Sequence, residues 1–289
     1  MCGKANEIIT GVHDPLGEAV IYGDTDSCYF RIFDVKKDGL EHLSKEELLD
    51  KAVARADEIA DLINDSFPAF VEDSFLCQGE YNTLIKAARE VVAPRGIFVT
   101  PKRYMLLVND KEGKRVDELK VMGLDTKKTI LPKYIQDALN NYLGRFLRGE
   151  DWDKIAEEIV EFKDNMRQSD ISLLGLPKGV NKVELYLQAL QLEGEKARLP
   201  GHVRAAIYYN MKLDQYDDKE SLRITSGMKC RVFYLKRPDG KFKSIALPTD
   251  LKKIPDWFIQ NINVDIDLQI SKLVDAPLCL LYTSPSPRD

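Results

Sequence analysis

The sequence predicts an α+β protein in two parts, and three observations carry that expectation. Short apolar runs broken by Gly- and Asp-containing turns fill residues 18–34 and most of 74–121, the pattern of antiparallel strands. Apolar residues recur at helical spacing over 45–66 and again beyond Pro132. The change from strand-rich to helix-rich falls at 119–132, which divides the chain into a first part at 1–118 and a second at 119–278.

Residues 3–10 read as the end of a helix, followed by a hairpin at about 18–34. Ser44 with Glu47 three residues later is a capping-box signature. Leu48, Ala52, Ala56, Ile59, Ile63 and Phe67 then line one face of a helix over 45–66, which Pro68 is expected to close. That face is expected to pack on a sheet. Extended segments are predicted at 75–92, 97–100, 104–109 and 115–121, with Lys111-Glu112-Gly113-Lys114 as a hairpin turn. In the second part the spacing predicts helices at 133–148, 152–166, 181–192 and 201–211, and a Gly-rich loop at 175–179. A β excursion follows at 229–236 and 243–247, turning at Pro238-Asp239-Gly240. There is no internal repeat.

At 289 residues, 44% hydrophobic and 31% charged, the chain has the composition of a globular protein with a proper core. It contains no long uncharged apolar run and no signal peptide, which argues against a membrane or secretory role and for a cytoplasmic one. Cys2, Cys28, Cys77, Cys230 and Cys279 show no paired spacing, so a reducing compartment and no zinc site are expected. The net charge of −5 is unevenly spread. Residues 1–83 carry 7 Lys and Arg against 18 Asp and Glu, whereas residues 84–134 carry 12 against 6. A basic block beside an acidic one suits a nucleic-acid track next to a metal site, although a solvated charge pattern gives the same counts.

Within the predicted hairpin, Tyr22-Gly23-Asp24-Thr25-Asp26-Ser27 separates the apolar runs Ala19-Val20-Ile21 and Cys28-Tyr29-Phe30. Residues two apart share a face of an extended chain, so both carboxylates can converge at the hairpin tip. Two clustered carboxylates repel unless a cation lies between them, and hard oxygen donors favour magnesium or manganese. A calcium loop starting at Asp24 is excluded, because Tyr29 stands at the sixth position and Val35 at the twelfth. A generic Asp-x-Asp turn is more often a solvated turn bonded to its own backbone.

The hexapeptide resembles motif C of family B DNA polymerases, which carries a catalytic metal site. Thr100-Pro101-Lys102-Arg103-Tyr104, read as the start of a strand, resembles the KKRY element of the same family, with Pro101 departing from its first Lys. Lys120-Val121-Met122-Gly123-Leu124-Asp125-Thr126-Lys127-Lys128-Thr129 resembles the entry to the thumb in the T-even-like tailed-phage branch. Pro200-Gly201-His202-Val203-Arg204 with Tyr208-Tyr209-Asn210 resembles a later thumb helix. The resemblance covers about residues 3–278.

It implies the C-terminal half of a palm followed by a mostly helical thumb, and template-directed addition of deoxynucleotides to a primer 3′ end by two-metal catalysis with Mg2+. Asp26 is the expected direct metal ligand, Asp24 an indirect one, and Glu80, on the strand expected at 75–92, a further acid near the metals or a solvent-facing strand residue. Lys102, Arg103 and Tyr104 are expected at the minor groove and backbone of the duplex, where the acceptors are shared by all correct pairs. Lys120, Gly123, Lys127, Lys128 and Thr129 are expected at phosphates, which position a duplex without specifying its sequence.

The implied partners are primer–template DNA, a deoxynucleoside triphosphate, and, for a full-length enzyme, a sliding clamp. Motif A, the fingers helix and a proofreading exonuclease precede motif C in the family and are absent from this sequence. The chain is therefore expected to be a C-terminal fragment, inactive alone. A non-catalytic DNA-binding module and the C-terminal subunit of a split polymerase are the alternatives. Residues 279–289 resemble a translated sequencing adaptor and are expected to be disordered and without a biological role.

Overall fold

A computed structural model describes residues 2–10, 19–76, 79–124, 131–194 and 197–278. Helices and antiparallel sheets are mixed, as the α+β expectation requires, and the chain divides into one unit up to Met122 and another from Gly123. No helix among the described residues is long and apolar enough to cross a membrane.

The first unit opens with α1 (Cys2–Thr10) and the hairpin β1 (Val20–Gly23) and β2 (Cys28–Phe30). α2 spans Lys45–Phe75 and begins with the predicted capping box: the Glu47 backbone N–H donates to Ser44 Oγ at 3.2 Å, and the Ser44 N–H donates to Glu47 Oε2 at 2.8 Å. Two orphan donors of the first turn are thereby satisfied. Pro68 does not end the helix. The apolar stripe of Ile59, Ile63 and Phe67 continues to a buried Val71, and that burial outweighs the hydrogen bond the proline cannot make. The Ser66 hydroxyl donates to the Ile63 carbonyl at 2.6 Å in the same turn. The helix stops at Leu76, which is left-handed with φ 54°.

The segment expected to be extended over 75–92 is not a strand for most of its length. Gly79–Thr83 forms a short 3-10 turn, and among the segment's described residues only β3 (Val91–Val92) pairs. Tyr81, Leu84 and Ile85 are exposed, so the apolar run that mimicked a strand has no sheet to join. β4 (Arg95–Thr100), β5 (Arg103–Lys111) and β6 (Lys114–Met122) complete the sheet. β5 is central, with β6 on one edge and β4 and β3 in succession along the other, interrupted at Ala93-Pro94 where a proline has no N–H to give. The β5–β6 turn is the expected one, with Glu112 at φ 50° and Gly113 at φ 83°, the two positive values a tight hairpin needs.

The β1–β2 hairpin lies between the helices and this sheet. Alternation along β2 sends Cys28 and Phe30 into a core with Ala5, Ile59, Ile63 and Phe67, while Tyr29 faces Tyr104, Leu106 and Val108 of β5. A buried Ile or Phe of this kind contributes about 1.5–3 kcal/mol. Asp110, 1% exposed, bonds to Arg89, to Arg115 at 2.8 Å and to the Gly113 N–H at 3.2 Å. The two arginines continue to Asp57 and Asp50 of α2, clamping helix to sheet.

The second unit contains α3 (Lys133–Leu147), α4 (Trp152–Gln168), α5 (Val183–Glu193) and α6 (Gly201–Gln215), close to the helices predicted. Its sheet is β7 (Leu176–Gly179), β8 (Lys229–Asp239) and β9 (Phe242–Pro248), in that order. The predicted Gly-rich loop is therefore strand β7. Gly175 just before it is a close-packing residue, since a Cβ there would stand 2.5 Å from Arg231 Cβ and 2.7 Å from Phe233 Cζ. α6 packs on β9, with Tyr208 stacked on Phe242 at 4.5 Å. Two short helices not anticipated from the sequence, α7 (Asp256–Asn261) and α8 (Ile266–Ile270), follow, the latter continued by a π-type turn at Ser271–Asp275. Gln269, fully buried, donates to the Leu174 and Val232 carbonyls and accepts the Tyr234 N–H.

Candidate functional site

The register pairs Tyr22 with Tyr29 and Gly23 with Cys28, and the Asp24 N–H donates to the Ser27 carbonyl at 2.8 Å. Thr25 and Asp26 therefore form the tip of the hairpin, and Asp24 stands where the strand ends. The two carboxylates differ. Asp24 Oδ1 accepts the Thr25 N–H at 2.9 Å, and Oδ2 accepts the Tyr22 hydroxyl at 3.1 Å. The Thr25 N–H is the main influence holding the Asp24 carboxyl below its ordinary value, with Tyr22 and Lys102 assisting against desolvation. Asp26 is exposed and makes no hydrogen bond or ion pair among the described residues.

Lys102 reaches the same carboxylate from the sheet. It does not start a strand; it occupies the β4–β5 turn, behind Pro101, with a left-handed φ of 63°. Proline is favoured at the second position of such a turn, and the third position normally takes glycine. The Lys102 N–H donates to the Tyr22 hydroxyl at 3.2 Å, and its Nζ lies 3.5 Å from Asp24 Oδ1. The Lys102 side chain is 74% exposed, so this pair contributes little to stability, but it sets a cation beside the hairpin.

Tyr22, Tyr29, Phe98 and Tyr104 form an aromatic cluster that joins hairpin to sheet, with ring centroids 5.3–6.1 Å apart. Tyr104 is buried, and its hydroxyl meets that of Tyr29 at 3.1 Å. Burial first, and then the Tyr29 hydroxyl, raise the Tyr104 phenol. Lys120, half-buried on β6, donates to the Tyr29 hydroxyl at 3.1 Å and to Glu90 Oε1 at 2.7 Å. Desolvation alone would lower the Lys120 ammonium; Glu90 and Tyr29 outweigh it and raise it. The motifs assign Tyr29, Phe98 and Glu90 no role, because the residues that hold them, Tyr104 and Lys120 among them, stand far away in sequence or on another strand.

Glu80 sits on the exposed Gly79–Thr83 turn, not on a strand, and the structure does not gather it with Asp24 and Asp26. Arg103 begins β5 and is half-buried, and Gly123 follows β6 with φ 61°. Lys127, Lys128 and Thr129 lie outside the described residues, as does the tail at 279–289. Among the described residues no three His, Cys, Asp or Glu side chains form a metal-holding group. The donor chemistry of Asp24 and Asp26 fits a hard divalent cation, but two carboxylates, one of them bonded at both oxygens, fall short of a full ligand set.

No protein-family model matches the chain. It is 29% identical over 271 residues to the DNA-directed DNA polymerase of Escherichia phage RB69, covering 85% of this chain and 28% of that protein. It is 33% identical over 116 residues to the DNA-directed DNA polymerase of Enterobacteria phage T4, covering 39% of this chain and 12% of that one. Among solved structures, the family B DNA polymerase from the hyperthermophilic archaeon Pyrobaculum calidifontis aligns over 95% of this chain and 28% of its own, with a TM-score of 0.49 and 17% identity. The chain spans less than a third of the length of these phage relatives. The polymerase similarity carried by its motifs is thereby borne out: over most of its length the chain is similar to a segment of a phage DNA-directed DNA polymerase.

Proposed function

We propose that this chain is a palm-and-thumb segment of a viral replicative DNA polymerase, with residues 1–118 in the palm and 119–278 in the thumb. The observation that carries the reading is the Asp24–Asp26 hairpin, which presents an unengaged Asp26 at an exposed tip in a chain alignable to a phage polymerase over 85% of its length. In this reading Asp26 is the direct magnesium ligand and Asp24 an indirect one, consistent with the bonds that already occupy both Asp24 oxygens. Lys102, whose ammonium stands 3.5 Å from Asp24 Oδ1, faces the primer–template minor groove. This reading assigns no described residue of the chain to the deoxynucleoside triphosphate, to the remaining metal ligands or to a clamp.

The chain alone is therefore expected to bind a primer–template duplex with strong salt dependence and not to extend it. Fluorescence anisotropy on a labelled duplex, with and without magnesium, tests the first statement, and a primer-extension gel tests the second. Absence of duplex binding at low salt, or binding unaffected by Lys102→Ala, would overturn the proposed track. Extension by the purified chain would overturn the second statement.

A further inference from the structure

We propose that Lys120 is a positioning residue that braces the Asp24–Asp26 hairpin from the neighbouring sheet, and not a phosphate contact on a duplex. The proposal rests on the polymerase reading for the hairpin's role, but its geometry is independent of it.

Lys120 lies opposite Leu106 in the β5–β6 register, and Leu106 belongs to the face of β5 that packs against the hairpin. Residues directly opposite share a face, so Lys120 is directed at the hairpin and away from the sheet's other side. Its side chain is 26% exposed, against 74% for Lys102, and its ammonium already donates to Glu90 and Tyr29. The same ammonium stands 5.8 Å from the centre of the Tyr29 ring. To reach a phosphate it would have to abandon a carboxylate, a phenol and an aromatic ring together.

The chain of contacts leads to the site. Tyr29 is the cross-strand partner of Tyr22, and Tyr22 holds Asp24 Oδ2. Anchoring the Tyr29 hydroxyl therefore anchors the middle of the three cross-strand pairs, one pair short of the turn that carries the carboxylates. Glu90 fixes the ammonium in turn, from the segment just before β3. A hairpin of only four and three residues has little stability of its own, so its tip depends on such side-chain anchors.

The test uses the full 289-residue chain and two readouts. Amide hydrogen exchange by NMR reports the hairpin through the Asp24 N–H, which closes the turn on Ser27. The slope of log affinity against log salt, for a primer–template duplex, reports phosphate contacts. In Lys120→Met the Asp24 amide is expected to exchange about tenfold faster while amides of α6 are unchanged, and the salt slope is expected to stay as in the parent. Lys120→Arg, which keeps the charge and donors, should restore protection. Tyr29→Phe removes the accepting oxygen without a charge change and should give the same acceleration, which decides the matter if Lys120→Met does not fold. Unchanged exchange at Asp24 in the folded variant overturns the proposal, as does a salt slope reduced by about one, the signature of a lost phosphate contact. If the parent chain binds no duplex, the polymerase reading fails, and the exchange comparison still decides the bracing.

Discussion

The Tyr22 hydroxyl donates to Asp24 Oδ2 at 3.1 Å while accepting the Lys102 backbone N–H at 3.2 Å, so one phenol joins the hairpin tip to the β4–β5 turn. An acidic motif residue is thus held by a side chain two positions before it and by a turn 80 residues away.

Tyr22→Phe keeps the ring in the aromatic cluster and removes both bonds. The Asp24 carboxyl is expected to titrate at a higher pH than in the parent, yet still below the ordinary aspartate value, because the larger influence, the Thr25 N–H, remains. Carboxyl 13C NMR across pH 2–6 measures the difference, about the range in which aspartates titrate. No change would show that the phenol does not hold the carboxylate in solution.

Asp110 and Asp50 form ion pairs with the same Arg115, but their surroundings differ. Asp110 is buried, and its loss leaves Arg89, itself 10% exposed, without one of its two carboxylates. Asp110→Ala should lower the unfolding free energy of the first unit by about 3 kcal/mol, whereas Asp50→Ala, at the exposed end, should cost at most about 1 kcal/mol. Urea denaturation followed by α2 helicity distinguishes them.

His202, near the start of α6, is held below its ordinary value of 6.5 by burial and then by the Lys178 charge. The unfolded chain therefore takes up the proton first as pH falls. The contribution to stability is full above about pH 6.5 and is lost as pH drops from there toward the depressed folded value. His202→Gln should flatten that part of the stability profile relative to the parent, measured by denaturation at pH steps between about 5 and 8. A parallel profile in the variant would contradict this.

Cys230, fully buried on β8, has its thiol pushed up to about 12 by burial. Its thiolate is scarce at neutral pH and shielded from reagents, so iodoacetamide should leave it unmodified in the native chain and label it on unfolding. Peptide mass spectrometry after native and denatured labelling reads this directly.

The helices and the motif hairpin were legible because their signals are local: a capping box, a stripe at helical spacing, a Gly-Asp turn between apolar runs. Pro68 misled because its local veto is real, and only the burial of Val71 beyond it explains why α2 continues. Glu80 was misplaced because an apolar run resembles a strand whether or not a partner strand exists. β7 was hidden for the opposite reason, since its partner begins more than 50 residues later at Lys229. At the site, the two carboxylates could be read from six residues, whereas Tyr29, Tyr104, Glu90 and Lys120 meet only after the sheet has formed. Lys120 itself was singled out by its motif, but its direction could not be read from a pattern of charge.

Lys102 carries its charge on a left-handed backbone, with φ 63°. A side chain in the left-handed region costs roughly 1–2 kcal/mol, and glycine would remove that cost while removing the cation beside Asp24. Selection for thermal robustness alone would drift this turn toward Pro-Gly. Lysine at residue 102 therefore trades backbone ease for a positive charge at the hairpin, and Lys102→Gly is expected to raise the thermal midpoint of the first unit while leaving Asp24 without that neighbour.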